Sequence, residues 1–204
     1  MTADDLIRAS RVPDSVQPGT FWPWTIVRRT IPADHPDAMD VGFRTMTSLH
    51  RMTMATLHLP LGDVVMEDSR RELRRHLPIL LVASGKILIS GLGLGCVVRG
   101  LLANPCVSRV DVMELCPRIS RIIGREFSED PRVRIVVGDA LKIRWPRSAR
   151  WDFAWHDIWT EDGNGVPLHR LHLKLMFRYK SRIGRQGAWA LPREIKKVLG
   201  NVLG

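Results

Sequence analysis

A run of glycines and three acidic side chains are the residues of this chain whose types and spacing could do chemistry. They are Gly91, Gly93 and Gly95, followed by Glu114, Asp139 and Asp157. A carboxylate can accept hydrogen bonds from a ligand, and it can take a proton from a reacting group. Glycine allows the main chain to approach a ligand closely. These residues predict a ligand site if the fold brings them together.

The glycines follow a short apolar stretch. The run Ile87–Ser90 after Lys86 predicts a buried parallel strand, and the residues from Cys96 to Ala103 predict a helix. Free N–H groups in the first turn of such a helix attract an anion. Strand, glycine turn and helix therefore predict a cradle for a nucleotide-type ligand.

The glycine spacing separates two kinds of nucleotide site. A dinucleotide site requires G-x-G-x-x-G, whose third glycine would fall at Cys96. The chain has G-x-G-x-G instead, a spacing typical of class I enzymes that use S-adenosyl-L-methionine (SAM). We therefore expect an adenosyl ligand rather than NAD.

Further strands are predicted after the glycine turn, with helices between them. The strands are residues 109–114, 133–137, 151–157 and 186–191, and helices begin near Pro117 and Leu168. This alternation predicts a parallel sheet with right-handed crossovers, whose ligands lie beyond the carboxyl ends of the strands.

The acidic residues fall at those strand ends. Glu114 ends the second strand, the pair Asp139 and Ala140 follows the third, and Asp157 ends the fourth. A carboxylate after the second strand is placed to bind both ribose hydroxyls of a nucleoside. Each acid also has a structural alternative, because Glu114 could cap the Pro117 helix and the other two could cap turns.

The N-terminal residues 1–67 are predicted to form an irregular extension with short strands, and residues 68–204 a SAM-binding domain. Prolines recur in the first forty residues and argue against long helices. The aromatic residues Phe21, Trp22 and Trp24 are predicted to dock, either on the main domain or on a second subunit of a homodimer. Helix and strand compete over residues 45–59, residues 63–67 predict a strand, and a helix from Arg70 is predicted to be interrupted or bent at Pro78.

Composition places the chain among ordinary globular proteins, with 204 residues, 45% hydrophobic and 25% charged. No apolar run is long enough to span a membrane, and the acidic N-terminus does not resemble a signal peptide. A cytoplasmic protein without membrane attachment is expected. The three cysteines lack C-x-x-C spacing, which argues against a zinc site, and no metal site is predicted.

The net charge of +10 favours an anionic partner such as nucleic acid. However, the basic residues are scattered along the whole chain, as a composition rich in arginine would scatter them. Charge alone therefore does not identify a partner.

Residues 86–159 resemble the core of class I SAM-dependent methyltransferases, and within them most closely the spermidine synthases. The segments that carry the resemblance are ILISGLGLG, VDVMELCP, DPRVRIVVGDA and WDFAWHD. The resemblance implies a SAM-type ligand, with Glu114 at the ribose and Asp139 and Ala140 at the adenine, and Leu115 is a further candidate cofactor-binding residue.

The resemblance to spermidine synthases extends to the preceding helix, where Glu72 and His76 match in spacing. It implies a substrate-pocket role for His76. However, Arg75 replaces a tyrosine and Leu77 an acid in the segment that builds the polyamine pocket, and Cys116 replaces an aspartate after the second strand. The C-terminus is also too short for the final hairpin of a complete methyltransferase sheet.

The fourth strand carries the candidate catalytic group. In aminopropyltransferases, an aspartate five residues after the first aspartate of this strand deprotonates the attacking amine, and Asp152 and Asp157 reproduce that spacing. His156 and Trp159 are candidate substrate residues, although both could simply be core. The N-P-P-Y signature of enzymes that methylate amino groups of nucleic acids is absent.

These observations predict an α/β, Rossmann-like SAM-binding parallel sheet of about five strands in the order 3-2-1-4-5, without the final hairpin. The predicted function is methyl transfer from SAM to an unidentified small-molecule or macromolecular acceptor, with Asp157 as the catalytic residue. Two alternatives remain open: an aminopropyltransferase, and a SAM-fold binding module without catalysis.

Overall fold

The computed structural model describes residues 1–39, 44–53, 58, 61–158 and 168–189. The N-terminal part forms a helix and an antiparallel sheet of four strands in the order β1-β2-β3-β4. These elements are α1 (Ala3–Ala9), β1 (Gly19–Phe21), β2 (Trp24–Thr30), β3 (Thr45–Arg51) and β4 (Asp63–Glu67). The extension is more regular than its prolines indicate, because none of them falls inside a strand, where a ladder hydrogen bond would be lost.

The remainder of the described chain alternates helices and strands. These elements are α2 (Arg70–Arg74), α3 (Leu77–Leu80), β5 (Gly85–Ser90), α4 (Cys96–Leu102), β6 (Val107–Glu114), α5 (Pro117–Gly124), β7 (Val133–Val137), β8 (Trp151–His156), α6 (Leu168–Tyr179) and β9 (Ile183–Ala188). The strands form one parallel sheet in the order β7-β6-β5-β8-β9. Counted from β5 this order is 3-2-1-4-5, which confirms the predicted Rossmann-like α/β fold.

The largest departure from a predicted bound is that of β9. It begins at Ile183 rather than at residue 186, because Ile183 pairs with Trp151 at the start of β8. The helix from Arg70 is interrupted, as one of the two predicted alternatives, and forms α2 and α3. Pro78 lies in the first turn of α3, where its missing N–H is tolerated. The predictions for residues 190–204, including the missing hairpin, lie outside the described residues.

The centre of the parallel sheet is buried on both faces. Ile87, Leu88 and Ile89 of β5 are fully buried. Ile87 and Ile89 pack in the core cluster that contains α4, whereas Leu88 packs with residues of α6 on the opposite face. Because every pairing in the sheet is parallel, the carboxyl ends of the strands meet at one edge.

Asp68 joins several elements of the N-terminal half of the chain. Its buried carboxylate accepts hydrogen bonds from Arg11 Nε at 2.8 Å, Val12 N–H at 3.1 Å and Thr47 N–H at 2.7 Å. An aspartate at this position therefore joins the chain after α1, the strand β3 and the start of α2. Ser69, the next residue, caps α2 by accepting a hydrogen bond from Glu72 N–H at 3.2 Å.

The aromatic residues of the extension have different environments. Phe21 and Trp24 pack against the core cluster to which both sheets contribute, whereas Trp22 is 56% exposed. The structure therefore contains one of the two predicted docking modes, contact with the rest of the same chain. Within the described ranges, no helix is both long and apolar enough to cross a bilayer.

Candidate functional site

A cavity of about 340 Å³ opens at the carboxyl edge of the parallel sheet, a volume within the range of small-molecule and cofactor sites. One group of lining residues follows β6 and β7: Glu114, Leu115, Ile119, Asp139, Ala140 and Leu141. A second group comes from elements distant in sequence: Trp24, Leu49, Glu72, Asp157, Leu171 and Trp189. Gly91 and Gly93 also line the cavity, so most of the predicted site residues meet here.

The glycine turn has backbone angles that favour glycine. The φ angles are +94° at Gly91, +52° at Gly93 and +79° at Gly95. In addition, a Cβ at Gly91 would collide with the backbone carbonyl oxygen of Asp157. Glycine is therefore needed at Gly91 both for the turn and for the close packing of the ends of β5 and β8.

Glu114 is a buried carboxylate that holds the glycine turn. Its Oε2 accepts a hydrogen bond from Leu92 N–H at 2.8 Å, and its Oε1 accepts one from Cys116 N–H at 2.7 Å. Burial raises the pKa of Glu114, and hydrogen bonds from the surrounding backbone N–H groups act in the opposite direction. Cys116 is the N-cap residue of α5, so Glu114 also performs part of the capping role. The N–H groups of Gly93 and Leu115 also act on this carboxylate, which lies at the wall of the cavity.

Asp139 and Ala140 line the cavity beyond β7. Asp139 Oδ1 accepts a hydrogen bond from Leu141 N–H at 2.8 Å, and its Oδ2 lies 3.3 Å from Lys142 Nζ. The carbonyl oxygen of Ala140 accepts a hydrogen bond from the Tyr179 hydroxyl at 2.8 Å. Asp139 therefore caps its own turn, and its carboxylate still has acceptor capacity for an amino group.

Asp157 lies beside Gly91 at the carboxyl end of β8 and lines the same cavity. Its side chain is 21% exposed. Removal of water from its surroundings raises the pKa of Asp157 to about 7. A carboxyl group with a pKa near neutrality is well suited to exchange a proton with a reacting group.

His76 lies behind Asp157. Its imidazole is almost completely buried, with Nε2 3.8 Å from Asp157 Oδ2 and the ring edge-on to Trp155 at a centroid distance of 6.1 Å. Burial lowers the pKa of His76 to about 4. Among the described residues, neither ring nitrogen has a hydrogen-bond partner. The geometry therefore places His76 next to the candidate catalytic carboxylate.

His156 has a different environment, although it is adjacent to Asp157 in sequence. Its Nδ1 lies 2.8 Å from Ser90 Oγ and its Nε2 3.2 Å from Gln186 Oε1, and its ring stacks on Tyr179. Burial lowers its pKa to about 4. These contacts are typical of a strand residue that packs against a helix. They favour a structural role for His156 over a substrate-binding role. Trp159, the other candidate substrate residue, lies outside the described residues.

Met66 of β4 enters the glycine turn, a contact that sequence reasoning missed. Leu94 N–H donates a hydrogen bond to Met66 Sδ at 2.9 Å, and a Cβ at Gly93 would collide with the same sulfur. A thioether is a weak acceptor, so a charged group of a ligand could replace it at this N–H. Nothing in the sequence distinguishes Met66 from the other apolar residues of its strand.

Glu72, Arg75 and Trp189 form a second cluster at the cavity that sequence reasoning did not predict. Trp189 Nε1 donates a hydrogen bond to Glu72 Oε1 at 3.0 Å, and Arg75 forms an ion pair with Glu72 at 2.9 Å. The Arg75 guanidinium also lies 5.4 Å from the centre of the Trp189 ring. Arg75, which departs from the spermidine synthase pattern, therefore orders the cavity wall in this protein.

Comparisons with known proteins find similar solved structures but no match in sequence. No protein-family model matches the chain, and no curated protein matches it. Similar solved structures include the 23S rRNA methyltransferase ErmE, with 20% identity, a TM-score of 0.37, and coverage of 46% of this chain and 37% of that one. A dimethyladenosine transferase from Plasmodium falciparum has 16% identity, a TM-score of 0.41, and coverage of 55% and 37%. The N-methyltransferase NodS from Bradyrhizobium japonicum WM9 has 15% identity, a TM-score of 0.46, and coverage of 66% and 75%.

The matched region thus spans little more than a third of the first two of these proteins. All three are methyltransferases by name, at low sequence identity. The fold assignment rests on the strand order of the parallel sheet, and the closeness to spermidine synthases stays a prediction.

Proposed function

We propose that this protein binds SAM in the 340 Å³ cavity and transfers its methyl group to an acceptor. The observation that carries the proposal is that Glu114 and Asp157 line one cavity while β5 and its glycine turn lie between their strands. One carboxylate is available to hold a nucleoside, and the other to act at the reacting end.

The residues of the cavity fit an adenosyl ligand. Glu114 lines the cavity beside the glycine turn, where its carboxylate is the candidate acceptor for ribose hydroxyls, and Asp139 has acceptor capacity for an adenine amino group. Ile119, Ala140 and Leu141 provide apolar surface for a flat ring. Bound SAM supplies a methyl group on a positively charged sulfur, and the nearby carboxylates favour that charge.

Asp157 acts on the acceptor. The ionised carboxylate would accept the proton of an acceptor N–H or O–H as the acceptor's lone pair bonds to the methyl carbon. SAM would supply that methyl group and keep the electrons of the carbon–sulfur bond on its sulfur, and Asp157 would then release its proton to solvent. Trp24 and Trp189 limit the access of water, and positioning of the reactants supplies much of the acceleration.

The cofactor is tested first. Calorimetry is expected to detect binding of S-adenosylhomocysteine and none of NAD, and tighter binding of NAD would overturn the assignment.

The reaction is tested with SAM labelled in its methyl group and a panel of small molecules, nucleic acids and proteins. Label is expected to reach one class of acceptor in the wild type and to be strongly reduced in Asp157→Asn. If S-adenosylhomocysteine binds but no acceptor is labelled, the protein is a SAM-binding module. Faster turnover of decarboxylated SAM would instead indicate aminopropyl transfer.

A further inference from the structure

A second cavity, of about 330 Å³, lies between the segment that follows β7 and the end of α6. It is lined by Ile143, Arg144, Trp145, Arg178, Tyr179 and Arg182, and we call it the basic cavity. Half of these residues are arginines, and none is acidic. The composition of the wall therefore favours an anionic group as occupant.

The basic cavity lies between two segments with an excess of positive charge. Residues 140–151 and 168–189, six of which line the cavity, contain ten Lys and Arg residues and no Asp or Glu, and Asp139 and Asp152 flank the first segment. The chain has 31 basic and 21 acidic residues, so the rest of it carries equal numbers of both signs. The excess of positive charge is not evident along the sequence, because the two segments are separated there. The fold brings them together at the basic cavity.

Hydrogen bonds hold the arginines of the basic cavity in place. Arg178 donates to the carbonyl oxygen of Ile143 at 2.9 Å, and Arg182 donates to that of Pro146 at 2.7 Å. Each guanidinium has five N–H donors, so one such bond leaves others for a ligand. A forked guanidinium held in this way is suited to the oxygens of a phosphate group.

An exposed aromatic residue precedes Arg178 of this wall in the chain. Phe177 precedes Arg178 in α6 and is 70% exposed, with Lys180 Nζ 4.1 Å from the centre of its ring. Base stacking on an aromatic side chain beside a basic groove is the usual way to bind single strands. A single exposed ring suits stacking better than insertion into a lipid surface, which requires a broad apolar face.

The basic cavity is also connected to the candidate active site. Tyr179 lines the basic cavity, and its hydroxyl donates a hydrogen bond to the carbonyl oxygen of Ala140, which lines the first cavity. A polymer held at the basic cavity therefore runs close to the proposed cofactor site.

We propose that the basic cavity binds a phosphate group of a single-stranded nucleic acid, with one base stacked on Phe177. The contacts come from Arg144, Arg178 and Arg182. This partner goes beyond the proposed methyl transfer, and its binding requires neither SAM nor a particular acceptor.

The test measures fluorescence anisotropy of labelled single-stranded RNA and DNA 12-mers at two salt concentrations, without SAM. Three variants test the site: Arg144→Gln/Arg178→Gln, Arg144→Gln and Phe177→Ala. The single variant Arg144→Gln leaves the hydrogen bond from Arg178 to the Ile143 carbonyl oxygen intact. The matched control is Arg121→Gln/Arg125→Gln, which removes two exposed arginines at α5 and the turn after it.

We expect Kd to rise about ten-fold in the double variant, with a salt dependence shallower by about one phosphate contact. Arg144→Gln is expected to weaken binding in the same direction, and Phe177→Ala to raise Kd about five-fold or more. The control should stay near the wild type.

Absence of oligonucleotide binding in the wild type would overturn the proposal. Equal weakening in the control and in the double variant would also overturn it, because general charge would then explain the binding. A third contrary outcome is binding to vesicles of phosphatidylserine and phosphatidylcholine that depends on these arginines while oligonucleotide binding does not. None of these results bears on SAM binding or methyl transfer, which are measured separately.

Discussion

His76 Nε2 lies 3.8 Å from Asp157 Oδ2 at the end of β8, so the two side chains are neighbours without a direct hydrogen bond. Burial shifts them in opposite directions, since it raises the pKa of Asp157 to about 7 and lowers the pKa of His76 to about 4. Glu72 and Arg75, the other charged groups that act on the imidazole, oppose each other in their effect on its pKa. At neutral pH the imidazole is therefore neutral, and Asp157 is divided between its protonated and ionised forms.

Turnover is expected to rise with pH through about 7, because Asp157 must lose its proton before it can accept one. Asp157→Asn should lower kcat by about 10²–10⁴-fold, the usual contribution of a general base. It should also abolish the rise with pH while affinity for S-adenosylhomocysteine is retained. Unchanged turnover in a folded Asp157→Asn protein would reduce Asp157 to a turn residue.

His76 is expected to set the pH midpoint of turnover. His76→Phe removes the polar neighbour of Asp157, so the ionised carboxylate loses a potential N–H donor and the midpoint should move above about 7. His76→Gln keeps a donor and should return the midpoint toward the wild-type value. The measurement is kcat against pH for the three proteins. A lower kcat with the same midpoint in both variants would contradict a role of His76 in the titration of Asp157.

Asp157 is also expected to reduce stability at high pH. Its pKa rises on folding from an ordinary 3.8 to about 7, so the folded state binds more protons than the unfolded state between these values. The free energy of unfolding therefore falls as pH rises through that range. Asp157→Asn avoids this loss and should be more stable than the wild type at pH 8, by on the order of 1–4 kcal/mol. Urea unfolding at pH 4 and pH 8 checks this, and a difference that does not grow with pH would refute it.

Glu114→Ala is expected to weaken binding of S-adenosylhomocysteine more than Asp139→Asn does. Hydrogen bonds from ribose hydroxyls to a charged acceptor are worth about 1.5–3 kcal/mol each, whereas Asp139→Asn retains an acceptor oxygen. Glu114→Ala also leaves the N–H groups of Leu92 and Cys116 without their carboxylate, so its melting temperature should fall. Calorimetry on folded protein separates the loss of ligand affinity from the loss of stability. Affinity equal to that of the wild type would leave Glu114 with only its role in holding the turn.

Met66→Ala is expected to strengthen cofactor binding a few-fold. The change frees Leu94 N–H from the thioether and opens space at Gly93, so a ligand no longer has to displace the side chain. Met66→Leu is the matched control, because it keeps the bulk in the turn and removes only the acceptor. Calorimetry with S-adenosylhomocysteine compares the three proteins. Weaker binding in Met66→Ala would mean that Met66 is a wall of the cofactor site.

The strands of the parallel sheet and the position of the candidate site could be predicted from the sequence. Apolar runs ended by Gly91, Glu114 and Asp139 are local signals, and parallel strands place all such ends at one edge. The confirmed strand order supports this reasoning. The bounds of β9 were less predictable, because its start is determined by pairing with β8 rather than by its own residues.

The walls of both cavities were decided only by the tertiary structure. Met66, Trp24 and Trp189 reach the first cavity from strands and segments far apart in the chain, and their own sequence neighbourhoods carry no sign of it. His156 and Asp157 are adjacent in sequence, yet one packs under α6 and the other lines the cavity. The wall of the basic cavity is positively charged because the segment after β7 packs against the end of α6, and neither contributes an acidic residue to it. The physical reason is common to all three cases: local sequence patterns determine the period of an element, whereas the burial, the partners and the pKa of a side chain depend on which distant element packs against it.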